Sequence, residues 1–167
     1  IYKDSAVDMV AITNVTEATV VMAYDYHWGG DGLAGPNAPL VGCYSECSGE
    51  PTGANVMHSI AEARRLSQGS GSAHPAGGSP APLLLGIPWY GLEYPTEGPE
   101  IYGKANYSLG PKRNYPVGGG GSNCTDQLRA GSECRAERFG KLWDNQTQTP
   151  WYRFRDPSSG MWQQGYY

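Results

Sequence analysis

Two short apolar runs flank one amphipathic stretch, and that order constrains the fold of this chain more than any other feature. The first run, 18–25 (ATVVMAYD), has contiguous Val20, Val21 and Met22 bounded by polar positions. The second, 83–89 (LLLGIPW), is apolar almost throughout. Both read as buried strands, because such runs leave no polar face for water. Between them, 54–67 places Val56, Ile60 and Ala63 at three- and four-residue spacing, with Arg64 and Arg65 near the C-terminal end, which predicts a helix. Strand, helix, strand is one crossover unit of a parallel sheet. Two parallel strands cannot cover both of their own faces, so the unit belongs to a larger α/β fold.

The rest of the chain has weaker periodicity. Residues 1–17 include VDMVAI, a short helical turn or strand lead-in. Residues 29–53 form a long loop rich in Gly and Pro. The stretch 68–82 (QGSGSAHPAGGSPAP) is a flexible Gly/Ser/Pro-rich insertion with nothing to bury. After Tyr94 no strong period runs for about 45 residues, too long for a plain loop in a compact domain, so 95–167 reads as an insertion subdomain. It ends in a predicted hairpin: aromatic alternation over 151–154, a turn at 156–160, and a return strand over 161–167. Two Phe accompany twelve Tyr and five Trp, so the aromatic content favours rings that keep a polar handle for water or a ligand.

Several function classes drop out. The formal net charge is −4 with no block of Lys or Arg, so no electrostatic footprint for nucleic acid or acidic membrane is present. No apolar run approaches the roughly 20 residues of a membrane helix. Asp25, His27 and Asp31 do not make a metal site, because no further ligand joins them, and no cofactor motif occurs. The run GGGGSNCT lacks the lysine of a phosphate loop and follows no strand. No nucleophile elbow occurs either. Four cysteines (Cys43, Cys47, Cys124, Cys134) in loop-like surroundings read as two disulfides, with proximity favouring Cys43–Cys47 and Cys124–Cys134 among three pairings. Sequons at Asn14, Asn106, Asn123 and Asn145 point with them to the secretory pathway, hence an extracellular or lysosomal protein. The chain starts at Ile1 without a leader pattern.

Chemistry concentrates where the two strands end. The first delivers Tyr24, Asp25, Tyr26, His27 and Trp28; the second delivers Trp89 and Tyr90. Parallel α/β enzymes bind ligands at such C-terminal strand edges. Tyr24 and Asp25 adjoin in sequence, so strand alternation sends them to opposite faces unless the strand is ending there. Two neighbouring strands opening onto one aromatic rim suit a sugar-binding cleft, in which flat rings stack on pyranose faces.

MAYDYHW followed by LLLGIPWYG resembles the sixth and seventh barrel strands of glycoside hydrolase family 18, the chitinases and chitobiases. The tail LWDNQTQTPWYRFRD, with its Gly turn and WQQGYY, is most similar to the di-N-acetylchitobiase branch. The resemblance implies an α/β fold: a partial (β/α)8 TIM barrel in the region of strands 6 and 7, with a long loop and hairpin insertion, residues 1–167 being an internal fragment of one catalytic barrel. It implies that Met22, Tyr24 and Asp25 match the family's Met-x-Tyr-Asp motif, whose Tyr and Asp hold the substrate's N-acetyl group, and that Trp89 and Tyr90 line the sugar subsites. The family uses substrate-assisted catalysis, with the acetamido oxygen as nucleophile and a glutamic acid as proton donor. The implied substrates are β-1,4-linked N-acetylglucosamine oligomers, and no cofactor is implied. The family's Asp-x-Asp-x-Glu acid motif is absent from these 167 residues. The acid would therefore come from the remainder of the barrel in the same parent chain, and this segment alone would be inactive. A non-catalytic, chitinase-like carbohydrate-binding or extracellular structural glycoprotein is the alternative.

Overall fold

The computed structural model describes residues 8–27, 32–42, 55–68, 81–118 and 131–167. The chain runs α1 (Met9–Val15), β1 (Thr19–Met22), α2 (Val56–Gln68), β2 (Leu83–Gly86), β3 (Tyr90–Thr96), a 3-10 turn (Tyr107–Leu109), β4 (Arg113–Pro116), α3 (Ser132–Phe139), β5 (Leu142–Asp144), β6 (Thr149–Arg155) and β7 (Trp162–Tyr166). It is a mixed α/β segment of a TIM barrel. β1 and β2 pair in parallel, Thr19 opposite Leu83 through Met22 opposite Gly86, with α2 as the crossover. The expected strand–helix–strand unit is therefore present. Asp8 caps α1 by accepting the Ala11 N–H at 2.9 Å, so the described part of this lead-in, from Met9 onward, is helical. Helix α2 packs against α1 and both strands.

Both parallel strands are shorter than expected, and they are not fully buried. Val20 and Met22 stay more than half exposed, and Leu84 and Leu85 nearly so. Each strand has only one hydrogen-bonded neighbour, and α2 covers one face, so the contiguous apolar run keeps a face open among the described residues. Met22, expected to be a core position, lies on that open face.

The second sheet is antiparallel, in the order β4-β3-β7-β6-β5. It begins at Tyr90, ahead of the 95–167 stretch expected to form a separate subdomain. The predicted hairpin is β6–β7, paired from Trp151–Tyr166 to Arg155–Trp162, with Gly160 at φ +71° in its turn. One face holds the core: Leu92, Tyr94, Trp151 and Tyr166 close around Ala34. The other face carries α3. There, Glu93 of β3, Gly165 of β7 and Tyr152 of β6 share one cross-strand row. Any side chain at Gly165 would overlap the Tyr152 ring, which crosses that glycine and donates its hydroxyl to Glu93 at 2.9 Å. Arg135 from α3 completes the group with two bonds to the same carboxylate, at 2.8 and 3.0 Å.

These buried phenols set an alkaline limit. Burial, reinforced by the Glu93 carboxylate, raises the Tyr152 phenol above its ordinary 10.0, and burial, with a smaller push from the Asp144 carboxylate, raises Tyr166. A folded pKa above the unfolded value means that the stabilisation is complete below about pH 10 and is lost as pH rises beyond it, by about 1.4 kcal/mol per unit for each phenol. Thermal midpoints should hold steady up to that point and then fall, with the tyrosinate absorbance of these two residues appearing only on unfolding. Ionisation of both near pH 10 in the folded protein would contradict this.

Cys134 is disulfide-bonded. Cys43, Cys47, Cys124, Trp28, Asp31, Asn123 and most of the 68–82 insertion lie outside the described residues. Among the described residues no helix is long and apolar enough to cross a membrane.

Candidate active site

The site is built where β1 stops. The strand ends at Met22, and Ala23 turns inward and is buried. Tyr24 and Asp25 thus lie beyond the strand, and the alternation that would oppose them no longer applies. Opposite Met22 stands Gly86, and a Cβ there would come within 3.2 Å of the Tyr24 ring. The glycine leaves the ring room to lie over the end of β2.

Asp25 has φ +58°, a left-handed conformation that few non-glycine residues adopt and that Asp tolerates better than most. Three bonds hold this turn. The Asp25 N–H donates to Asn37 Oδ1 at 2.8 Å, and the Tyr26 N–H donates to the Asn37 carbonyl at 3.1 Å. The Tyr26 hydroxyl donates to Ser59 Oγ on α2 at 2.6 Å. Next in the chain, His27 is fully buried against Gly35, where no Cβ would fit, and its ring meets that of Tyr94 edge-on at 6.1 Å. Loop, helix and sheet thereby clamp 24–27 from three sides.

Tyr90, the first residue of β3 rather than the end of β2, meets the residues that follow β1. The Tyr90 hydroxyl donates to Asp25 Oδ1 at 2.5 Å, joining residues 65 positions apart. Its phenol is raised above the ordinary value by burial first and then by that carboxylate, so it stays a neutral donor at physiological pH. Asp25 itself is solvent-exposed, and Tyr24 and Tyr90 are half-buried. Met22 and Trp89 are 67% and 72% exposed and border the same strand ends, apolar surfaces of the kind that stacks on a sugar. Of the five residues singled out from the sequence, Asp25 and Tyr90 make direct contact. Tyr24 lies beside them over Gly86, and Met22 and Trp89 flank the group. Sequence reasoning missed Asn37, since Gly-Pro-Asn-Ala-Pro reads only as loop.

No family model matches the chain. A curated relative, "Probable di-N-acetylchitobiase 1" of Dictyostelium discoideum, is 28% identical over 94 residues, covering 48% of this chain and 24% of the relative. The immunomodulatory active chitinase of Trichuris suis superposes with a TM-score of 0.57 at 22% identity, over 94% of this chain and 38% of its own. A family 18 N-acetylglucosaminidase from Paenibacillus barengoltzii does so with a TM-score of 0.56 at 17% identity, over 96% and 39%. The fold is a segment of a TIM barrel, matched by these solved glycosidases. The resemblance of the two strand-end motifs to glycoside hydrolase family 18 thus has a matching fold beneath it, and the resemblance to the chitobiase branch has the curated relative's sequence beside it. The chain spans about a quarter of the curated relative's length and under two-fifths of these solved chains.

Proposed function

We propose that this chain supplies the acetamido-binding wall of a glycosidase that hydrolyses β-1,4-linked N-acetylglucosamine oligomers. The observation that carries the reading is the Tyr90–Asp25 bond: the turn after β1 and the start of β3 present one fixed, exposed carboxylate beside aromatic surface. With Oδ1 engaged by Tyr90, Oδ2 can accept the acetamido N–H of a bound sugar. Tyr24 then donates to the acetamido oxygen and aims it at the anomeric carbon, while Met22, Trp89 and Tyr90 line the subsite.

In the reaction this supports, the acetamido oxygen forms a bond to the anomeric carbon as the glycosidic bond breaks. The departing oxygen takes a proton from a glutamic acid contributed by the remainder of the barrel in the parent chain. The resulting oxazolinium carries positive charge on the acetamido group, which the Asp25 carboxylate stabilises more than it does the neutral ground state. Water then opens the ring with net retention at the anomeric carbon. We place the protein in the secretory pathway as a disulfide-bonded glycoprotein, extracellular or lysosomal. Two of its sequon asparagines, Asn14 and Asn145, are solvent-exposed.

The test is turnover of N-acetylglucosamine oligomers by the full-length protein, with the anomeric form of the first product followed by NMR. Hydrolysis with retention is expected. Saturable binding without turnover would replace the enzyme with a chitinase-like lectin.

A further inference from the structure

Asn37 lies outside both motifs, yet it bonds to the main chain on both sides of the Asp25–Tyr90 contact. It is buried, and its polar groups face the site. Oδ1 accepts the Asp25 N–H at 2.8 Å, the main-chain carbonyl accepts the Tyr26 N–H at 3.1 Å, and Nδ2 approaches the Tyr90 carbonyl at 3.4 Å. The first two bonds fall on consecutive residues of the turn in which Asp25 takes its left-handed backbone. That backbone is strained for a residue with a Cβ and persists only where the surroundings over-determine it. The third contact reaches the main chain of the residue whose hydroxyl grips the Asp25 carboxylate.

We propose that Asn37 is a positioning residue for the acetamido clamp, holding the Asp25 backbone and the Tyr90 main chain in one frame so that carboxylate and phenol meet. The inference rests on the reading of Asp25 given above. Asn37 touches no reacting atom; it acts through Asp25. Loss of its side chain frees the turn to relax toward an ordinary negative φ, swinging the carboxylate off the Tyr90 hydroxyl and away from the acetamido group. Small misplacements of an orienting group cost rate rather than affinity.

The experiment is a double-mutant cycle on kcat for a β-1,4-linked N-acetylglucosamine oligomer, in the full-length protein. Asn37→Ala should lower kcat about tenfold with KM within about twofold, and should change kcat less than about twofold when Asp25 is already alanine, because the two act as one unit. If Asn37→Ala does not fold, Asn37→Asp carries the same criterion: a loss that vanishes in the Asp25→Ala background. An equal loss in both backgrounds would make Asn37 merely structural, and an unchanged kcat with Asp25 intact would likewise overturn the proposal. If Asp25→Ala alone leaves hydrolysis untouched, the clamp reading itself fails and takes this inference with it.

Discussion

Changing Asp25 to alanine in the full-length protein is expected to lower kcat on N-acetylglucosamine oligomers by about a hundred- to a thousandfold, the scale of losing one oxyanion-hole donor. That corresponds to about 3–4 kcal/mol of transition-state stabilisation. The size follows from the carboxylate's situation. Tyr90 holds Oδ1 at 2.5 Å, and Asn37 holds the backbone, so the charge is pre-oriented rather than recruited during the reaction. In the proposed reaction its partner is a cationic oxazolinium, so the interaction would strengthen along the reaction coordinate. Asp25→Asn, which keeps the shape and removes the charge, should fall nearly as far. Tyr24→Phe should cost about tenfold or more, since it removes one donor to the attacking oxygen. Asp25 is exposed, so thermal midpoints should move little in its variants. Steady-state kinetics beside melting curves separates the two effects. Unchanged turnover in Asp25→Ala and Tyr24→Phe alike would remove the site assignment.

The largest expected effect on stability lies away from the site. Arg135→Met should destabilise the protein by about 3–5 kcal/mol, the cost of stranding a buried charge. Glu93 is 1% exposed and lies on β3, between β4 and β7, accepting two bonds from Arg135 and one from Tyr152. The guanidinium in turn lies 4.4 Å from the Tyr115 ring centroid and 5.3 Å from that of Phe154. Taking it away leaves a carboxylate with a single phenol for company and almost no access to solvent. The exposed pairs Glu62–Arg65 and Glu97–Lys104 offer the contrast, each worth at most about 1 kcal/mol in solvent. Replacing both members together, Glu93→Leu with Arg135→Met, should recover most of the loss, because an apolar pair no longer needs solvation. Urea unfolding midpoints of both variants, beside the parent protein, measure the two effects. A single substitution costing under about 1 kcal/mol, or a double no better than the single, would contradict the account.

The β1–α2–β2 unit was legible because its signals are local: an apolar run, a helical period, another apolar run. The β6–β7 hairpin was legible for the same reason, with aromatic alternation on either side of Asp-Pro-Ser-Ser-Gly. What stayed hidden depends on distant partners. In β3, Glu93 and Pro95 interrupt the apolar run, and the strand makes sense only once Arg135, 42 residues on, neutralises the carboxylate. Helix α3, SECRAERF, is mostly charged and polar, and its start packs so tightly over β3 that a Cβ on Gly91 would clash with Ser132 Oγ. At the site, the side chains were visible in the motifs, but their convergence was not. It depends on β1 stopping at Met22, on the left-handed turn at Asp25, and on Asn37, none of which has a periodic signature.

The central claim is that Tyr24, Asp25 and Tyr90 recognise an acetamido group. It is tested most directly by comparing kcat/KM for a β-1,4-linked N-acetylglucosamine dimer with that for its de-acetylated counterpart, in the full-length protein and in its Asp25→Ala variant. The account predicts a preference of about a thousandfold or more for the acetylated substrate, shrinking by at least about a hundredfold in the variant. Equal rates on both substrates, or an undiminished preference without the carboxylate, would contradict it.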